Sequence, residues 1–294
     1  MSFAAVVMLV ICILCYTVQT FFNKMYSISY RGPAVAATSV FASLYGLIVG
    51  GATLVYNGLQ FQPSTATLIM GIVNGVVLFL FNLSSINAAR TGPYAFQSIM
   101  LLFGNILLTL LFSTFWWGDQ LRPVQILGIA AMLLSFVIFN LKGLHFDGMK
   151  KGYLGWVLLL FFSNGLYGIL IDAQQRVLLQ MERNEMIITT FAVSAVISLA
   201  YLMIVQGRDA LKAFRMEAKP WIFAVGSSIG AAVAINLLML TLRLIPASVL
   251  YTIVNGSILV LSALLSAVVL HEKLTKNMVV GIAVAVGSLV LLSM

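Results

Sequence analysis

The side chains that could do chemistry in this chain are amides, hydroxyls and tyrosines inside long apolar runs. At about 100° per residue, two predicted helices carry them on one face: Tyr94, Ser98, Asn105 and Thr109 on the first, and Ser248, Thr252, Asn255, Ser262 and Ser266 on the second. An unpaired amide in hydrocarbon is costly. We therefore expect both faces to turn toward the protein interior or toward water, either as the lining of a cavity or as hydrogen bonds between helices.

The candidate substrate-binding residues are neutral hydrogen-bonding side chains within such runs. They are Tyr16, Gln19, Asn74, Tyr94, Ser98, Asn105, Asn164, Tyr167, Asn236, Tyr251 and Asn255. Neutral donors and acceptors suit a small neutral or zwitterionic molecule. Because tyrosine faces also attract cations, an organic cation is the alternative substrate.

Ionisable side chains stand outside the apolar runs with one exception, Asp172, which lies near the end of its run. Arg176 follows four residues later, at the spacing of an ion pair on one helix face. We therefore expect a salt bridge between Asp172 and Arg176. No carboxylate in the middle of a run is available for a proton relay or a cation site, which argues against a proton/cation exchanger of the small multidrug-resistance type.

Sequence motifs for enzymatic or cofactor chemistry are weak. The segment 226–230 matches G-x-S-x-G, a pattern that has catalytic meaning only at a strand–turn–helix elbow. The two histidines, His145 and His271, stand in predicted loops, Cys12 and Cys15 lie within an apolar run, and no phosphate-binding glycine loop occurs. We predict no enzyme activity, no cofactor and no metal, and keep an intramembrane enzyme and a channel as alternatives.

Composition defines the elements that must position these side chains. Of 294 residues, 62% are hydrophobic and 8% are charged, whereas soluble domains carry about 25% charged residues. A membrane-spanning helix needs about 20 apolar residues, and ten apolar runs meet this need: 3–23, 34–56, 64–88, 93–115, 123–141, 153–175, 186–205, 220–242, 246–270 and 277–294. The sequence predicts an all-α polytopic membrane protein with ten transmembrane helices and without an extramembrane domain.

The net charge of +8 is attributed to basic loops on one membrane face and not to nucleic-acid binding. If the runs alternate in direction, one face receives four basic residues, Arg122, Arg176, Arg183 and Arg243. The other face receives the remaining twelve: Lys24, Arg31, Arg90, Lys142, Lys150, Lys151, Arg208, Lys212, Arg215, Lys219, Lys273 and Lys276. The positive-inside rule places the second group in the cytoplasm and both termini outside.

The chain repeats itself. A shift of 153 residues aligns Arg90 with Arg243, Pro93 with Pro246, Asp119 with Glu272 and Gly128 with Gly281. The repeat predicts two five-helix units, residues 1–145 and 146–294. Five is an odd number, so the two units must insert in opposite orientations, an arrangement that places a substrate site near the bilayer midplane.

Each unit closes with an acidic residue, a leucine two positions later and a glycine-bearing helix. The segments are Gly118-Asp119-Gln120-Leu121 before Gly128, and His271-Glu272-Lys273-Leu274-Thr275 before Gly281. Together with the 5+5 repeat, they resemble the drug/metabolite transporter superfamily, EamA type. The resemblance implies ten helices, a secondary carrier or exporter of small metabolites, and no bound cofactor.

We therefore expect a carrier that works by alternating access on a small, amino-acid-like neutral or zwitterionic substrate. Its partners would be the substrate and membrane lipids but no nucleic acid. The protein would be a monomer or homodimer in a bacterial plasma membrane.

Overall fold

The structure is a computed structural model that describes residues 3–143, 149–177, 182–269 and 275–293. Of the residues in those ranges, 87% are helical and none lies in a strand. The ten α-helices are α1 (Phe3–Ser29), α2 (Ala34–Tyr56), α3 (Thr65–Thr91), α4 (Tyr94–Phe115), α5 (Pro123–Asn140), α6 (Tyr153–Val177), α7 (Arg183–Gln206), α8 (Ala218–Thr241), α9 (Ala247–Val269) and α10 (Lys276–Ser293). Two 3-10 helices, Leu141–Gly143 and Gly207–Phe214, lie in the connections after α5 and α7.

Nine of these helices are long and apolar enough to cross a membrane, counted over the described residues. The apolar part of α10, Lys276–Leu292, is shorter. The all-helical fold predicted from the sequence is thus confirmed together with nine candidate spans. The predicted run 34–56 coincides with α2, but α1 continues six residues beyond the predicted end at residue 23. A lysine at a span end does not stop a helix, because its aliphatic stem packs while its charge reaches the interface.

Local sequence signals explain where several helices begin and end. The Ser64 hydroxyl accepts a hydrogen bond from the Thr67 backbone amide at 3.2 Å and caps α3. Pro123 opens α5, where its missing N–H costs nothing. Beyond α4, Gly118 has a φ of +68°, a conformation that favours glycine.

Helix packing divides most of the chain into two groups. One group contains α3, α4, α6 and α7, and the other contains α1, α2, α8 and α9. The groups meet where α2 packs on α7 and where α4 packs on α9, while α5 packs along α10. Small residues permit this closeness: a Cβ atom on Gly46 of α2 would lie 2.5 Å from the Phe191 carbonyl oxygen of α7.

Contacts between connections define two ends of the bundle. At the basic end, the Tyr30 hydroxyl donates to the Ala213 carbonyl at 3.0 Å, and the Tyr153 hydroxyl donates to the Pro93 carbonyl at 2.7 Å. At the opposite end, here named the Arg176 end, the connections after α4 and α8 meet the end of α6 around Arg176. At that same end, Glu182 accepts hydrogen bonds from the backbone amide and the hydroxyl of Ser64, in the connection between α2 and α3. Hydrogen bonds from Thr67 and Ser64 lower the pKa of the Glu182 carboxyl group.

Candidate functional site

The polar faces of α4 and α9 meet inside the bundle. The Asn255 side-chain amide donates to Asn105 Oδ1 at 3.0 Å. Asn105 is 8% exposed, and Thr109, on the next turn of α4, is 2% exposed. Both faces therefore turn toward protein and not toward lipid, and they come from helices of different halves of the chain.

Three tyrosines line the same interior region in a half-buried state. Tyr16 belongs to α1, Tyr45 to α2 and Tyr167 to α6, and all three pack against the buried cluster that contains Tyr251 of α9. Gln19 donates to the Tyr45 hydroxyl at 3.0 Å. The arrangement brings neutral donors and acceptors together with aromatic faces, which can hold a polar molecule without a fixed charge.

Two further side chains on the predicted faces bind backbone carbonyls of neighbouring helices. Asn164 of α6 donates to the Leu101 carbonyl of α4 at 2.7 Å. Tyr251 donates its hydroxyl to the Gly168 carbonyl of α6 at 3.2 Å. In this conformation both side chains therefore act between helices.

The remaining predicted residues are spread more widely. Asn236 of α8 donates to Thr53 of α2 at 3.3 Å and to the Ala232 carbonyl of its own helix at 2.8 Å. Asn74 is 1% exposed, and its carbonyl oxygen has no protein partner. Asn74 lies on the stretch of α3 whose glycines approach α7. Ser98 is half-buried on α4, and Tyr94 begins α4 but its side chain lies outside the described residues.

The exposure of interior side chains differs between the two ends of the bundle. Toward the Arg176 end, the interior side chains are packed: Cys12 on α1 and Ser248 and Thr252 on α9 are all 0% exposed. Toward the basic end, the corresponding side chains are half-buried, namely Gln19 and Asn23 on α1, Ser98 on α4, Asn164 on α6, and Asn255 and Ser262 on α9. These polar side chains are therefore more exposed toward the basic end than toward the Arg176 end.

An ion-pair cluster lies at the Arg176 end. Arg176 contacts the Asp172 carboxylate at 3.0 Å, so the predicted salt bridge is present. Its two terminal nitrogens also bind both carboxylate oxygens of Asp119, at 2.9 and 2.6 Å, and its guanidinium lies 5.4 Å from the centre of the Trp117 ring. This cluster borders a cavity of about 680 Å³ that also contacts residues 242–246.

Three participants in these contacts are not predicted from the sequence. Asp119 follows α4 by four residues, and nothing in a single sequence pairs it with Arg176. Tyr45 and Thr53 lie in the apolar run of α2 together with Ser39 and Ser43, and no periodic pattern distinguishes them. The sequence pattern predicts a pair only when both partners lie on the same helix, as Asp172 and Arg176 do at the i,i+4 spacing.

Two of the weak sequence motifs can be examined within the described residues. Ser228, the central serine of the G-x-S-x-G segment, is 0% exposed and donates to the Ala224 carbonyl of its own helix at 2.7 Å. Within the described ranges, no group of three or more histidine, cysteine, aspartate or glutamate side chains could hold a metal ion. His145 and His271 lie outside the described residues.

Comparisons with known proteins agree with the fold. No curated protein matches the sequence. One solved crystal structure superposes on it with a TM-score of 0.77 at 18% identity, over 99% of this chain and 98% of that chain; at this identity the likeness concerns the fold alone. The model of the EamA-like transporter family matches residues 152–294. The chain is therefore a transmembrane protein that is similar, over residues 152–294, to the EamA-like transporter family of the drug/metabolite transporter superfamily.

Proposed function

We propose that the protein is a secondary carrier or exporter that moves a small neutral or zwitterionic, amino-acid-like metabolite by alternating access. The observation that carries this proposal is the polar interior itself: half-buried tyrosine and amide side chains from both halves of the chain, more exposed toward the basic end and more buried toward the Arg176 end. Such a difference is expected of a carrier whose site opens to one face at a time.

Two inverted five-helix repeats, residues 1–145 and 146–294, form part of the proposal. Exchanging α1–α5 with α6–α10 maps the two packing groups onto each other and leaves the pairs α2–α7, α4–α9 and α5–α10 as they are. One contact repeats residue by residue. A Cβ atom on Gly128 would lie 2.8 Å from Leu292, and one on Gly281 would lie 2.9 Å from Phe139. The shift of 153 residues relates Gly128 to Gly281 and Phe139 to Leu292.

The substrate class follows from the chemistry of the interior. Gln19, Asn105 and Asn255 offer neutral donors and acceptors, and the described charged residues of the helices lie within five positions of a helix end. A molecule with net charge would leave water for a region where the nearby Asp172 carboxylate is already paired with Arg176, at a considerable cost. A zwitterion or neutral molecule avoids that cost when its groups are hydrogen-bonded.

The test is a thermal-shift screen of the purified protein against free amino acids and related zwitterions, followed by counterflow of each hit in proteoliposomes. We expect at least one zwitterion to raise the melting temperature and to exchange across the vesicle membrane. Flux that far exceeds carrier turnover without counterflow would identify a channel instead.

The second candidate substrate is an organic cation, which Tyr16, Tyr45, Tyr167 and Tyr251, packed in one cluster, favour through cation–π contacts. Tetraethylammonium in the same screen separates the two. If it stabilises the protein and Tyr167→Leu abolishes the shift while Tyr167→Phe retains it, the substrate is a cation.

A further inference from the structure

Toward the Arg176 end of the polar interior, side chains of two other helices contact one residue without a side chain, Gly168 of α6. A Cβ atom there would lie 3.0 Å from Thr109, 3.1 Å from Asn105 and 3.5 Å from the Tyr251 ring. The Gly168 carbonyl also accepts the Tyr251 hydroxyl at 3.2 Å. Three helices, α4, α6 and α9, therefore meet at this point without a gap.

This junction joins the two packing groups, since α4 and α6 belong to one group and α9 to the other. It lies between the half-buried tyrosines and the buried Ser248 at the start of α9, which is 0% exposed. By contrast, the Arg176–Asp119 pair ties the connection after α4 to α6, and so lies within one packing group.

We propose that the Gly168–Tyr251 junction is the gate that closes the polar interior at the Arg176 end, and that it opens when the interior becomes accessible from that end. Tyr251 is then a gating residue whose hydroxyl holds the closed form. The absence of a side chain at Gly168 lets α9 close against α6. The proposal rests on the alternating-access function proposed above.

Two substitutions test the gate, one by removing its hydrogen bond and the other by adding a methyl group. Tyr251→Phe removes the hydrogen bond and keeps the ring. Gly168→Ala keeps the hydrogen bond and inserts a methyl group between α6 and its neighbours. The matched control is Gly155→Ala on the same helix, where an added Cβ meets no atom within 4 Å.

The measurement is the rate at which N-ethylmaleimide labels one cysteine in nanodiscs, in a Cys12→Ala, Cys15→Ala background. The reporter is Ser248→Cys, which is buried in the closed form and whose hydroxyl has no protein partner to lose. A second reporter, Ser198→Cys on α7, is equally suited, being 2% exposed and without a partner for its hydroxyl, but lies away from the junction.

One interhelical hydrogen bond in a membrane protein shifts an equilibrium by about threefold on average. We expect Tyr251→Phe to raise labelling of the Ser248→Cys reporter by about threefold, Gly168→Ala to raise it by at least as much, and Gly155→Ala to leave it unchanged. The Ser198→Cys reporter should label at the same rate in all backgrounds.

Unchanged labelling of Ser248→Cys in both gate variants would overturn the proposal, and so would an equal rise at Ser198→Cys, which indicates general loosening. Because labelling needs no substrate, the two proposals fail separately. Faster labelling in a protein that transports none of the screened compounds would support the gate and count against the carrier.

Discussion

At the scale of single residues, substitutions at Asn105 and Asn255 distinguish a substrate site from a contact that only packs helices. If the two amides line the site, Asn105→Leu and Asn255→Leu should each weaken substrate affinity by roughly five- to 150-fold, since a buried partner lost by a ligand costs about 1–3 kcal/mol. Folding should suffer less, because an interhelical hydrogen bond is worth about 0.6 kcal/mol on average in a membrane. Isothermal titration and thermal melts measure the two effects.

Asn140 supplies the control for these variants. It lies at the end of α5, and among the described residues its side chain donates to the Phe136 carbonyl of its own helix, at 2.9 Å. Asn140→Leu should leave affinity unchanged. Normal substrate binding by Asn105→Leu and Asn255→Leu, with a lowered melting temperature, would mean that the two amides only hold the helices together.

Asp172 provides the second prediction at this scale. Its side chain is 3% exposed and paired with Arg176, so we assign it a structural role and no part in ion coupling. Asp172→Asn keeps an oxygen that accepts from the Arg176 Nε and should retain more than a tenth of the transport rate in proteoliposomes. Loss of all transport from a stably folded variant would instead identify Asp172 as a proton or cation site.

At the scale of helices, Gly104 determines how closely α4 approaches α6. A Cβ atom on Gly104 would lie 2.2 Å from the Phe161 carbonyl oxygen, so Gly104→Ala must push two backbones apart. We expect a loss of about 1–3 kcal/mol, the usual cost of overpacking, seen as a lower melting temperature in detergent.

Gly155→Ala serves again as the comparison for Gly104→Ala. With open space around the added methyl group, it gains helix propensity worth up to about 1 kcal/mol and should melt at the same or a higher temperature. Equal melting temperatures for the two variants would show that the α4–α6 approach is loose.

The helices themselves were the most predictable part of the molecule. A run of more than 18 apolar residues leaves the backbone no alternative to helix in a membrane, and α2, α4 and α6 begin within one residue of the predicted positions. The predicted end of α1 at residue 23 is wrong, since the helix continues past Lys24 to Ser29.

The contacts of the site were predictable only in part. Helical periodicity gives the face on which Asn105 lies, but not its partner, which is 150 residues away in sequence. Asn74 shared the chemistry of the other candidates, yet α3 packs against α6 and α7, and no hydrogen bond joins its side chain to the described site residues. Which helix faces which is a property of the packed bundle.

At the scale of the whole molecule, orientation is open to a direct test. Arg31, Lys150, Lys151, Lys212 and Arg215 all lie in connections at the basic end, so the positive-inside rule places that end in the cytoplasm. A C-terminal alkaline phosphatase fusion should then be active and a C-terminal green fluorescent protein fusion dark. The reverse pattern would invert the orientation and the side to which the interior opens.

The position of the charged side chains has an electrical consequence. Those described in the helices stay within five residues of a helix end, so a cycle that carries a zwitterion moves no net charge through the middle of the bilayer. One elementary charge crossing 100 mV is worth about 2.3 kcal/mol, so a monovalent cation would be accumulated about 50-fold by such a potential. We therefore expect uptake into vesicles to be the same with and without an imposed potassium diffusion potential, and a voltage-dependent uptake would point to a charged cargo.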